Sequence, residues 1–148
     1  MLVTNHVLAG ALIGRALARH PVLAFGAGVV SHIAMDACPH WGDDAVTMDT
    51  PEFFRIACCD GCCGLAAMAI AAGLSPRRTR LAVVAGMAGG AVVDTDKPFD
   101  FFLGWNPFPE RWNRFHKRIQ NEAPHRMKNE FAVGTLLALV CWRVLRQP

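Results

Sequence analysis

The chain has 148 residues, one domain's worth of sequence (1–148) with room for a real core. Hydrophobic residues make up 53% and charged residues 18%, oilier than an ordinary soluble domain but short of a bundle of full membrane spans. The net charge of +3, on arginines scattered along the chain without interleaved aromatics, argues against a nucleic-acid duplex partner.

Helical patterns dominate from the start. Thr4 or Asn5 is placed to cap a first helix through about Ala18, which the His20-Pro21 step breaks. A second helix follows from Pro21 to Asp36 or Ala37, ending at or before Cys38 because Pro39 cannot donate within a helix. "HWGDDAVTMDT" (40–50) reads as a polar loop, with Thr50 capping a third helix and Pro51 at its first position, through about Leu74. Ser75 and Pro76 repeat that arrangement for a fourth helix ending near Val93. "DTDKPFDFFLGWNPFP" reads as an aromatic loop, "ERWNRFHKRIQ" as a short amphipathic helix, and "NEAPHRMKN" as the lead into a last helix ending near Arg146. No segment has the alternation or β-branched density of a strand. The expected fold is all-α, a single bundle of five to six helices.

Cys58, Cys59, Cys62 and Cys63 crowd into "CCDGCC" within an apolar helical pattern, where neighbours cannot easily bridge. Free thiols in a reducing compartment are expected. "VLAGALIG" followed by "ALA" imitates a secretion signal, but no basic residue precedes it and Arg15 interrupts it, so cleavage is not expected. The runs "CGLAAMAIAAGLS", "LAVVAGMAGGAVV" and "FAVGTLLALVCW" fall short of the ~18–20 apolar residues that span hydrocarbon. Their flanks could extend some of them, and their small residues suit close helix packing in water or lipid. Membrane association stays open at this level, as does the oligomeric state.

The chemistry concentrates in "SHIAMDACPHW" (31–41). His32 and Asp36, four apart on a helix, share one face one turn apart, a spacing that holds zinc. His40 follows the Pro39 break and is free to fold back over the same ion. The alternative is a satisfied core histidine beside a capping or salt-bridged aspartate. Four further residues tip the balance: His6 near the start of the first helix, Asp60 amid cysteines, Asp94 at the end of an apolar helix, and His116 in the short helix. Carboxylates in such surroundings need a cation or a proton. Histidines and carboxylates from several helices are how bundles build metal sites, and seven candidates suit two ions.

"TNHVLAGALIG", "FGAGVVSHIAMDACPHW", "CCDGCCGL", "GGAVVDTDKPF" and "RFHKRIQ" together resemble, in order, motifs of a bacterial family described as membrane-associated, metal-dependent hydrolases. The resemblance implies His6, His32, Asp36, His40, Asp60, Asp94 and His116 as metal-site residues. It also implies a place at the bacterial inner membrane; the expected free thiols leave the cytoplasm as the alternative. A more distant similarity is to the all-α zinc-dependent phospholipase C and P1-type nuclease fold. The His-x-x-x-Glu found there is missing, His125 and Glu130 not having that spacing, and Val93 stands where the bacterial family tends to have proline.

The function expected is a zinc-dependent hydrolase, with manganese as the other metal weighed and a small-molecule or lipid phosphoester as substrate. Two ions about 3.5–4 Å apart would share a water whose pKa is lowered towards ~7. Asp36 and Asp60 are expected to bridge them, with His6, His32, His40 and His116 as terminal ligands, Asp94 as ligand or base, and Asp94 and Asp60 as the catalytic residues. The rival expectations are a non-catalytic membrane-embedded bundle and a closed metal-binding module.

Overall fold

Two helices begin where proline fixes the backbone. The computed structural model describes residues 1–43, 45–46 and 50–147. Within them α2 (Pro21–Asp36) and α3 (Pro51–Leu74) each carry proline at the first position, where a missing N–H leaves no bond unmade. Thr50 caps α3 as expected, its hydroxyl accepting from the Phe53 N–H at 3.3 Å. The other two starts differ from the sequence reading. α1 (Val3–Ala16) begins ahead of Thr4 without a capping side chain of its own. The Thr4 hydroxyl instead donates to Asp60 and the Asn5 amide to Glu130. α4 (Arg77–Val92) begins after Pro76, because Ser75 turns back and donates to the Ala71 carbonyl at 2.7 Å, closing α3.

A second difference lies in the aromatic segment. α4 passes through a 3-10 turn, Val93–Thr95, into α5 (Asp96–Leu103), which Gly104 ends at φ 68°. Pro98 reads as a helix breaker, yet it falls in the first turn, where backbone N–H groups have no helical partner to lose. α6 (Glu110–Ile119) and α7 (Met127–Leu145) complete the all-α fold. Between them Asn121–Glu122 (β2) pairs in parallel with Pro39–His40 (β1), a two-residue bridge that ties the end of α6 to the segment after α2.

α1, α2 and α4 form the centre, and glycine lets them touch backbone to backbone. A Cβ on Gly86 would strike the Gly10 carbonyl, and one on Gly28 the Gly86 carbonyl. α3 and α7 pack on the outer side of α1 through Leu8, Ala71, Met87, Cys141 and Leu145. The start of α1, the ends of α2 and α4, and the start of α7 therefore gather at one pole, marked by Leu2–Glu130 and His32–Gly90 hydrogen bonds.

Gly86→Ala should lower thermal stability by about 1–3 kcal/mol, because a methyl group has nowhere to go but into backbone. Gly26→Ala, with open space around its Cα, should raise it by roughly 0.5–1 kcal/mol. Paired melting curves of the two variants check this.

Candidate metal centre

The end of α2 supplies the middle of the site. His32 and Asp36, one turn apart, stand with Nε2 and Oδ2 3.1 Å from each other. α1 brings His6, whose ring stacks on His32 at a centroid distance of 3.7 Å and whose Nε2 lies 3.1 Å from Asp36 Oδ1. α6 brings His116, with Nε2 2.8 Å from Asp36 Oδ2 and 3.3 Å from His32 Nε2. Asp94, just past α4, sets Oδ2 3.9 Å from His32 Nε2. His6, His32 and Asp94 form one trio with donor atoms within 4.8 Å of one another, and His32, Asp36 and His116 form another.

The protonation pattern follows from one contact. His32 Nδ1 lies 2.7 Å from the Gly90 carbonyl, which can only accept, so Nδ1 carries the proton. In the neutral ring Nε2 then turns a lone pair towards Asp36, Asp94 and His116 Nε2. A proton on Nε2 satisfies one of these neighbours at a time; a cation at their centre satisfies all of them. A histidine tied by its far nitrogen to a backbone carbonyl is the usual support for a metal ligand. His6 is the second sign: it is buried, its Nδ1 has no hydrogen-bond partner among the described residues, and its Nε2, though 3.1 Å from Asp36 Oδ1, is not aligned for a hydrogen bond. Buried polar atoms left so are rare and mark a strained site or an unplaced ion. Counter-charges are also close. The α-amino group of Met1 lies 2.7 Å from Asp36 Oδ1, and Lys97 Nζ 2.6 Å from Asp94 Oδ1.

Of the seven residues expected at the site, the fold brings together His6, His32, Asp36, Asp94 and His116. Asp60 is placed differently, as a correction to its expected bridging and catalytic role. Its two oxygens accept from the Val3 N–H at 2.6 Å, the Thr4 N–H at 3.1 Å and the Thr4 hydroxyl at 2.6 Å. The first turn of a helix offers unpaired N–H groups and a positive dipole end, and this carboxylate from α3 satisfies both. His40 also stands outside the two trios. It is fully buried, with Nδ1 2.9 Å from the Cys38 carbonyl and Nε2 3.5 Å from Glu122 Oε1 across the β1–β2 bridge. The segment 40–50, read as a polar loop, includes residues 44 and 47–49, which lie outside the described residues.

Three partners escaped the sequence reading. Lys97 holds one Asp94 oxygen and reaches Asp96 at 3.7 Å. Burial alone would raise the Asp94 carboxyl, but Lys97, then His32 and His6, outweigh it and hold the group below the usual carboxylate range. The i,i+3 spacing of Asp94 and Lys97 was the available signal. Glu130, buried in the first turn of α7, accepts from the Leu2 N–H at 3.0 Å, the Asn5 amide at 2.8 Å and the Trp41 N–H at 3.0 Å. It ties the start of α1 to the segment after α2. Gln120 sits one turn beyond His116, Nε2 to Nε2 3.3 Å.

Comparison with family models, curated proteins and solved structures finds no match at any of the three levels. The site therefore stands on its own geometry.

Asp60→Ala should lower stability by about 2 kcal/mol, the scale of a lost helix cap with buried donors left unpaired. Metal content should not change, since neither trio includes Asp60. Denaturant unfolding and elemental analysis of the same preparation separate the two effects.

Proposed function

We propose that the chain is a metal-dependent hydrolase whose centre binds divalent cations, with a phosphoester as its substrate class. The observation that carries this reading is Asp36. It is a fully buried carboxylate with His6 on Oδ1 and His32 and His116 on Oδ2. A carboxylate presenting its two oxygens to different imidazoles would serve, together with them, to hold divalent cations. Imidazole nitrogen and carboxylate oxygen suit zinc and also admit manganese.

Each residue then has a task. Gly90 fixes the tautomer and the direction of His32. His6 and His116 would close the two sides of Asp36, while Asp94, kept anionic beside Lys97, would ligate or take a proton from an attacking water. Bound cations would supply Lewis acidity and a nucleophile at neutral pH. Lys97 adds positive charge near the place where phosphoryl oxygens would gather. The motif resemblance to membrane-associated hydrolases points the same way.

A second reading has its own support. The Met1 ammonium on Asp36 and the Lys97 ammonium on Asp94 supply two counter-charges without any metal. In that case the cluster is an ion-pair lattice in a structural protein.

Elemental analysis and turnover distinguish them. The hydrolase reading expects zinc or manganese to copurify, and Asp36→Ala to reduce both metal content and melting temperature. It expects metal-dependent turnover of at least one of a phosphomonoester, a phosphodiester and a phospholipid, abolished by EDTA and by His32→Ala. Metal-free, folded protein would favour the lattice, and loaded protein inert on all three would remove the phosphoester.

A further inference from the structure

The six cysteines are all free thiols, and they divide into two kinds. Cys38 and Cys141 are satisfied by backbone: Cys38 donates to the Ala34 carbonyl at 3.5 Å and Cys141, which is buried, to the Leu8 carbonyl at 3.3 Å. Burial also pushes the Cys141 thiol up to about 11, which keeps it protonated and inert. Cys58, Cys59, Cys62 and Cys63 are of the other kind. All four are exposed on α3, and none makes a hydrogen bond or ion pair among the described residues. Neither trio of the histidine–aspartate centre includes them.

Their spacing sets what they can hold. Successive residues of an α-helix turn by about 100°, so positions i, i+1, i+4 and i+5 share one face about 140° wide. Asp60 and Gly61, between them in sequence, lie off that face: Asp60 accepts from Thr4 of α1, and a Cβ on Gly61 would meet nothing. Cys58 with Cys62, and Cys59 with Cys63, therefore stand one above the other, one turn apart. The second pair borders the apolar groove between α3 and α7, beside Ile56 and Ile70. Cβ atoms in this relation are about 5–6 Å apart. A disulfide needs about 3.5–4.5 Å, so neither pair can close on itself without distorting the helix. An ion between the two sulfurs supplies the missing length, since two metal–thiolate bonds of about 2.3 Å in line reach about 4.6 Å.

The number of sulfurs that meet selects the ion. A structural zinc takes four donors in a tetrahedron. Among the described residues no cysteine belongs to a group of three close donors, whereas the histidines and aspartates form two such groups. A soft monovalent ion is satisfied by two thiolates in line, and thiolate is the ligand that selects copper(I). We infer that α3 binds copper(I), one ion on Cys58 and Cys62 and one on Cys59 and Cys63, at a site separate from the histidine–aspartate centre. Each ion displaces two thiol protons and forms two Cu–S bonds, so the loaded pair carries one negative charge and copper keeps its oxidation state. Free thiols and monovalent copper belong to the same reducing surroundings. This inference does not rest on the hydrolase reading.

The pairing makes the test specific. The reduced full chain is titrated with copper(I) without oxygen, in competition with a coloured copper(I) chelator, and circular dichroism checks that each variant keeps its helix content. Serine at these exposed positions removes a thiolate without emptying a core. The native chain should retain two ions, with a shell of sulfur alone in X-ray absorption at the copper edge. Cys58→Ser with Cys62→Ser should retain one ion, because the other pair is whole. Cys58→Ser with Cys59→Ser removes the same number of thiols but breaks both pairs, and should retain none. Equal retention by these two double variants would overturn the pairing, as would one ion held by all four sulfurs. A nitrogen and oxygen shell, or two ions still retained when all four cysteines are serine, would overturn the site itself.

Discussion

The bundle is organised by the burial of one carboxylate. Asp36 is fully enclosed, and an isolated anion in such a place costs several kcal/mol even after relaxation. Its surroundings are therefore not optional. Three imidazoles from α1, α2 and α6 converge on its two oxygens, and they can do so only if the helices carrying them come unusually close. Glycine provides that approach. The Gly90 carbonyl accepts from His32, and the Gly90 Cα lies against the His6 carbonyl, so one residue both supports the site and permits its packing. Packing and chemistry in this protein are the same set of contacts.

The other carboxylates of this pole show how differently equal groups are used. Asp60 and Glu130 are also drawn into the bundle, but they receive backbone and amide N–H groups at the start of α1 and beside Trp41. They fix where α1 begins and how it meets α3 and α7. Asp94 is intermediate, one oxygen on Lys97 and the other facing His32. Donor supply separates the roles: Asp60 and Glu130 are met by backbone and amide N–H groups, whereas Asp36 faces the Met1 ammonium and three imidazoles, each of which in its neutral form has only one N–H to give.

Much of this was legible before the fold was known, and the parts that were not have physical reasons. The pairing of His32 with Asp36 is local, fixed by helical spacing, and survives intact. The convergence of His6, Asp94 and His116 was inferred from apolar context, and the helices do bring them together. Asp60 shares that context but lies opposite the first turn of α1, a relation across the fold that no local pattern carries. Thr4 and Asn5 look like caps, yet distant carboxylates claim their side chains. α5 was hidden by Pro98, which falls in the helix's first turn.

On the proposed reading, nitrogen and oxygen donors of the buried pole, and not the cysteines of α3, would hold a divalent cation. X-ray absorption at the zinc edge on reconstituted protein tests it directly. The account predicts a first shell of nitrogen and oxygen near 2.0–2.1 Å with the outer scattering of imidazole rings, lost in His32→Ala. A shell containing sulfur near 2.3 Å would move the metal to Cys58, Cys59, Cys62 and Cys63 and contradict the account.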